Sequence, residues 1–116
     1  MFGMSKKPTA ESLEKLVQQK KWDKIKKSYL EADEETKVLL AKACALSVSD
    51  DSSNILMALL DSPEESVKLA ALESLEKVGN DHCVSRIQQM IDLVPPEQTK
   101  VKEQIKETLS ALRGKQ

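Results

Sequence analysis

The stretch SPEESVKLAALESLEKVG, residues 62–79, constrains the fold most, because it carries the start and stop signals of one helix together with a broad apolar face. Ser62 is a preferred N-cap residue, and the glutamate three positions later would complete a capping box. Pro63 would occupy the first helical position, and Gly79 would take the left-handed conformation that commonly ends a helix. The sequence therefore predicts a helix from about Pro63 to Val78.

The apolar arc of this helix is wider than the stripe of a surface helix, which indicates packing on more than one neighbour. The pattern also recurs along the chain, as expected of stacked helical units. DEETKVLLAKACAL (33–46) aligns with SPEESVKLAALESL at an offset of 29, and SNILMALLD (53–61) aligns with VSRIQQMID (84–92) at an offset of 31. A weaker copy, WDKIKKSYL, occupies 22–30. Thr9 is the expected cap of the helix before it, and Asp33 matches Ser62 as an expected N-cap. The stretch is therefore interpreted as one unit of an array.

The repeated pattern resembles the short HEAT-like repeats of bacterial proteins, in which an acidic turn precedes D-x-x-E-x-V-K/R-x-x-A-x-x-A-L. In DSPEESVKLAALESL the matching residues are Asp61, Val67, Lys68 and Ala70. In the preceding copy Leu39 stands where the basic residue is usual. The resemblance implies an α-α superhelix, a right-handed solenoid whose second helices line a concave surface.

Composition agrees with an all-α fold, because only 3% of residues are aromatic and only three are glycine. We expect about seven helices in three stacked antiparallel hairpins. The predicted organisation is a flexible N-terminus at 1–8 and a single repeat domain at 9–116. Within that domain the predicted repeats span about 9–30, 33–60 and 62–93, and a capping helix spans 96–113.

Charge is distributed unevenly although the formal net charge is only −1. Residues 1–30 carry a net charge of +5, residues 31–92 carry −8 and residues 93–116 carry +2. Cys44 and Cys83 fall inside helical patterns, which suits a reduced compartment. With no apolar run typical of a secretory signal and none of membrane length, the predicted location is cytoplasmic.

The inventory of reactive side chains predicts no enzyme, no cofactor and no metal site. His82 and Cys83 are adjacent, but neighbours on a helix point about 100° apart, which favours a structural role for Cys83. Asn80 or Asp81 would cap the helix that contains His82 and Cys83. Three acidic pairs are expected at helix starts, where a carboxylate interacts favourably with the helix dipole. These pairs are Glu34/Glu35, Asp50/Asp51 and Glu64/Glu65.

The expected function is a non-enzymatic protein-binding scaffold whose second helices contact the partner, another protein that the sequence does not identify. Repeat-equivalent positions would form two ladders across that surface, and an exposed Ile55 would be a contact point. The ladders are Lys24, Ile55, Arg86 and Lys27, Ala58, Gln89. No membrane and no small-molecule substrate are expected.

A nucleic-acid-binding module is the alternative, based on the basic segment KKWDKIKK at 20–27, whose Trp22 could stack on a base. Two observations oppose it. Trp22 aligns with a buried position of the other repeats, and the acidic segment that follows would repel a phosphate backbone. A further alternative is an accessory lyase or a chaperone for a cofactor protein, since the HEAT-like proteins of bacteria that this pattern resembles include some classed as bilin lyases.

Overall fold

The computed structural model describes residues 7–114, and within this range the chain forms seven α-helices and no strand. The all-α prediction and the expected number of helices are confirmed. Residues 1–6, most of the predicted flexible N-terminus, lie outside the described residues. The helices are α1 Ala10–Gln18, α2 Trp22–Tyr29, α3 Glu34–Cys44, α4 Asp50–Leu59, α5 Glu65–Val78, α6 His82–Leu93 and α7 Thr99–Arg113.

The odd-numbered helices pack side by side in chain order, with α3 against α1 and α5, and α5 against α7. Helix α2 contacts α1 and α3, and α4 contacts α3 and α5. Helix α6 packs mainly against α7 rather than α5, so α5 and α6 do not form the closely packed third hairpin that was predicted. The molecule measures 47 × 31 × 18 Å, and its thin dimension corresponds to about two layers of helices.

One hydrophobic cluster extends through all seven helices. Trp22, Tyr29 and Met57 are half-buried and pack against it, and Met90 belongs to it. The expected core position of Trp22 is therefore confirmed. Buried hydroxyls cross the cluster as well: Ser74 donates to the Ala41 carbonyl at 2.7 Å.

The burial of the first helices, α3 and α5, matches at an offset of 31 residues and not at the predicted offset of 29. At an offset of 29, Leu46 would match Leu75, yet Leu46 is 54% exposed and Leu75 is 0% exposed. An offset of 31 instead matches the N-cap residues Asp33 and Glu64. It also matches three fully buried side chains, Ile25, Leu56 and Ile87.

The corrected register supplies the basic residue that the first copy seemed to lack. Lys37, not Leu39, is equivalent to Lys68, and both lysines are largely buried, with 8% and 7% of their surface exposed. The sequence alignment missed this match because every residue from 38 to 46 except Lys42 is apolar, so offsets of 29 and 31 both pair apolar residues at many positions.

Several predicted helix ends are confirmed, whereas both end signals of α5 and the start of α7 differ from the prediction. The Thr9 and Asp33 side chains cap α1 and α3, and the Asn80 side chain accepts a hydrogen bond from the His82 amide at 3.0 Å. Ser62 does not cap α5, whose N-cap is Glu64. Gly79 is extended, with φ −75° and ψ 175°, rather than left-handed.

Both errors at α5 have local physical causes. The Ser62 hydroxyl accepts a hydrogen bond from Lys37 Nζ at 2.9 Å and donates to the Glu64 carboxylate, so it is not available to the helix amides. Gly79 is required by close approach, since a Cβ atom there would lie 2.6 Å from the Leu75 carbonyl oxygen. The capping helix α7 begins at Thr99, three residues after its predicted start at 96.

Candidate interaction surface

The second predicted ladder lies on three neighbouring helices, α2, α4 and α6. Lys27, Ala58 and Gln89 are all exposed and are separated by the 31-residue period. We call the exposed side of these three helices the even-helix face. Side chains at equivalent positions on adjacent helices give this face rows of matched surface positions.

The first predicted ladder is interrupted at its centre. Ile55 is 1% exposed and belongs to the core, so the prediction of an exposed contact point is wrong. Helix α4 packs between α3 and α5, and this burial covers a wider arc of α4 than the alignment with polar Lys24 and Arg86 indicated. Lys24 is exposed, whereas Arg86 is half-buried and forms an ion pair with Asp61.

The basic segment at 20–27 exposes its charged side chains, which are five lysines and Asp23. Its lysines are all exposed, namely Lys20, Lys21, Lys24, Lys26 and Lys27. Trp22 between them packs against the core, which limits the ring area available for stacking on a base. The segment therefore offers charge more readily than it offers an aromatic platform.

His82 and Cys83 do not form a nucleophile and base pair in this structure. His82 is exposed, whereas Cys83 is buried and its sulfur lies 3.9 Å from Asn80 Oδ1. The other cysteine, Cys44, is also buried, and burial raises the pKa of its thiol to about 12. Both sulfurs are positioned as core atoms.

The acidic pairs lie at the starts of α3, α4 and α5, as predicted. The Lys7 ammonium lies 2.7 Å from Asp33 Oδ2, and the Thr36 amide donates a hydrogen bond to the same carboxylate. These contacts hold the pKa of Asp33 below its usual range. At α5, hydrogen bonds from Ser62 and then Lys37 lower the pKa of Glu64. The Asp33 and Glu64 carboxylates therefore serve as partners of a lysine, and Asp33 also caps a helix.

Sequence reasoning missed a cavity of about 330 Å³ where the α4–α5 and α6–α7 connections meet. Its walls combine apolar side chains such as Met90 and Val94 with the cationic Lys68 and Arg86. The sequence signal for this cavity was a pair of lysines, Lys37 and Lys68, at matching positions within two apolar helix faces. They become visible only in the 31-residue register.

Among residues 7–114, no group of three or more His, Cys, Asp or Glu side chains is arranged to hold a metal ion. Within the same range, none of the helices has the length and the apolarity needed to cross a membrane. Comparisons with protein families, with curated proteins and with solved structures gave no significant match.

Proposed function

We propose that the chain is a non-enzymatic protein-binding scaffold of the HEAT-like type, a right-handed α-α superhelix that holds a partner protein on the even-helix face. The observation that carries this proposal is the exposed ladder of Lys27, Ala58 and Gln89 at one residue period. Arrays of stacked helices bind partners through such rows of equivalent surface positions.

The charge of the even-helix face suggests which partner surface it would meet. Helix α2 contributes Lys24 and Lys27 at exposed positions, while α4 and α6 contribute the uncharged Ala58 and Gln89. An acidic patch on the partner would therefore be placed over α2, and a neutral surface over the ladder positions of α4 and α6. Charge complementarity of this kind orients a complex and speeds its formation.

The test is affinity capture with matched charge reversals. Lys24→Glu/Lys27→Glu changes the even-helix face, and Lys100→Glu/Lys106→Glu makes the same charge change at exposed positions of α7. We expect one protein to be retained by the wild type and the α7 variant and lost by the α2 variant, with all three equally stable. Retention by all three baits, or loss from both variants, would rule out the even-helix face.

Nucleic-acid binding is a second candidate because the five lysines of the basic segment are all exposed. Fluorescence anisotropy with a labelled single-stranded oligonucleotide, at low and at raised salt, distinguishes the two functions. Binding that weakens steeply with salt, and that the α2 variant loses, would support nucleic acid. A protein that stays bound to the bait after nuclease treatment would support the scaffold.

A further inference from the structure

The cavity between the α4–α5 and α6–α7 connections has the size and lining of a small ligand site. Its volume of about 330 Å³ lies at the lower end of the range for such sites. Leu60, Met90 and Val94 supply apolar wall, and Lys68 and Arg86 supply charge. The cavity lies beside the helix connections and is separate from the Lys27, Ala58 and Gln89 ladder.

Lys68 is the unusual member of this lining. It is only 7% exposed, and its Nζ donates to Gln98 Oε1 at 2.9 Å. Among residues 7–114, no carboxylate pairs with it. A buried ammonium without a counter-charge is costly, because one neutral acceptor does not replace the water that burial removes.

The equivalent lysine one repeat earlier does have a carboxylate partner. Lys37, the equivalent of Lys68, donates to Ser62 Oγ at 2.9 Å and to the Glu64 carboxylate at 3.0 Å. The residue that accepts the hydrogen bond from Lys68 Nζ is the uncharged Gln98, whose amide nitrogen donates to the Pro63 carbonyl at 3.3 Å. The carboxylate that Glu64 provides for Lys37 therefore has no equivalent beside Lys68.

The other charges at the cavity do not supply it. Arg86 is paired with Asp61, so this carboxylate already has a cationic partner and the positive charge of Lys68 is not neutralised. We propose that this cavity binds a carboxylate attached to a small aliphatic group, with the carboxylate on Lys68 and the aliphatic group against Met90 and Val94. The carboxylate takes the place that Glu64 holds beside Lys37.

Such a ligand has two chemical sources, the C-terminal residue of a peptide and a free aliphatic acid. N-acetyl-leucine represents the first, 4-methylpentanoate represents the second, and N-acetyl-leucinamide is the control without a carboxylate. Binding is measured by ¹H–¹⁵N NMR titration at pH 7. For ligands of this size we expect a Kd of about 1 mM, with shifts concentrated at the cavity residues.

The acid-against-amide comparison on the wild-type protein decides the proposal without any variant. We expect at least one acid to bind about tenfold to a hundredfold more tightly than the amide, the effect of one charge-assisted contact. Stronger binding of N-acetyl-leucine than of 4-methylpentanoate assigns a peptide C-terminus, and the reverse order assigns a free acid. Equal affinity for acid and amide, or no shift at the cavity, overturns the proposal.

A matched pair of substitutions locates the contact. Lys68→Met removes the ammonium from the cavity, and Lys37→Met makes the same change one repeat earlier, where Glu64 already occupies the position. We expect Lys68→Met to lose about tenfold or more in affinity for the acids, Lys68→Arg to keep it and Lys37→Met to leave it unchanged. Acid binding that survives Lys68→Met would place the carboxylate elsewhere and refute this assignment.

Discussion

Lys20 has a positive φ of 58°, unlike the other non-glycine residues among those the structure describes. It ends α1 in a Schellman arrangement, since its amide bonds to the Val17 carbonyl and the Lys21 amide bonds to the Leu16 carbonyl. A residue with a Cβ atom is strained in this conformation, and glycine is not. We predict that Lys20→Gly increases the free energy of unfolding by about 0.5–1 kcal/mol, measured by urea denaturation.

The control for this prediction is Lys106→Gly, at an exposed position inside α7. There glycine loses helix propensity, and we expect a decrease of about 1 kcal/mol. A Lys20→Gly variant destabilised as much as the control would show that α1 does not end in the left-handed conformation. This conformation was not predictable from the sequence, because the left-handed residue that ends a helix is usually glycine, and here it is Lys20.

At the level of single residues, the sequence predicts caps well where the capping bond is local. Thr9 and Asp33 each cap an amide three residues away, so a window of four residues contains the whole interaction. Ser62 has the same local context, but Lys37 reaches it from 25 positions away. A long-range contact of this kind is invisible to a local pattern, and it moves the start of α5 by two residues.

At the level of elements, the end of α5 depends on the absence of a side chain at Gly79. A Cβ atom there would lie 2.6 Å from the Leu75 carbonyl oxygen and 3.3 Å from Leu112 Cδ2. We predict that Gly79→Ala lowers the free energy of unfolding by about 1–3 kcal/mol, as overpacking does elsewhere. At Gly114 the nearest atom to an added Cβ is 3.5 Å away, so Gly114→Ala should be neutral or slightly stabilising.

Thermal unfolding of the two alanine variants provides the comparison. Equal melting temperatures would mean that the backbone around Gly79 relaxes at no cost.

The link between α3 and α5 should depend on pH through Glu64. Ser62 and then Lys37 lower the pKa of this carboxyl below its ordinary value of 4.5. A lowered native pKa stabilises the fold above the unfolded pKa, and this contribution is lost as the pH falls through the native value. We therefore predict that Glu64→Gln weakens the loss of stability on acidification below about pH 5, measured by urea unfolding at several pH values.

Ser62→Ala tests the cause of this dependence, because it removes the larger of the two contacts and leaves Lys37 in place. It should flatten the pH dependence in part. If Glu64→Gln retained the full wild-type slope, the dependence would have to arise from other carboxylates, such as Asp33.

The arrangement of the elements was only partly readable. The seven helices follow from apolar spacing and caps, but an offset of 29 places Leu46 in the core and leaves Lys37 unmatched, whereas the structure exposes Leu46 and buries Lys37. The candidate surface shows the same limit: Lys27 and Gln89 are exposed as predicted, and Ile55 is buried. Neighbouring helices decide how wide an arc is covered, and one helix's sequence does not contain that information.

At the scale of the whole molecule, the single hydrophobic cluster predicts that the two cysteines are protected together. Cys44 on α3 and Cys83 on α6 are both buried, and α3, α5, α7 and α6 form an unbroken series of contacts. A domain of this size with one core normally unfolds as a unit. We predict that both thiols resist iodoacetamide at pH 8 in the native protein and become reactive over the same range of urea.

Mass spectrometry of the two cysteine peptides reports both sites in one experiment, with the circular dichroism transition as reference. The thiol of Cys44 adds a chemical barrier to its burial, since its pKa of about 12 leaves almost no thiolate at pH 8 in the folded state. Labelling of Cys83 at lower urea than Cys44 would show that α6 opens before the central helices. Such partial opening would also expose Met90 and the wall of the Lys68 cavity, so a ligand of that cavity should raise the urea concentration at which Cys83 reacts.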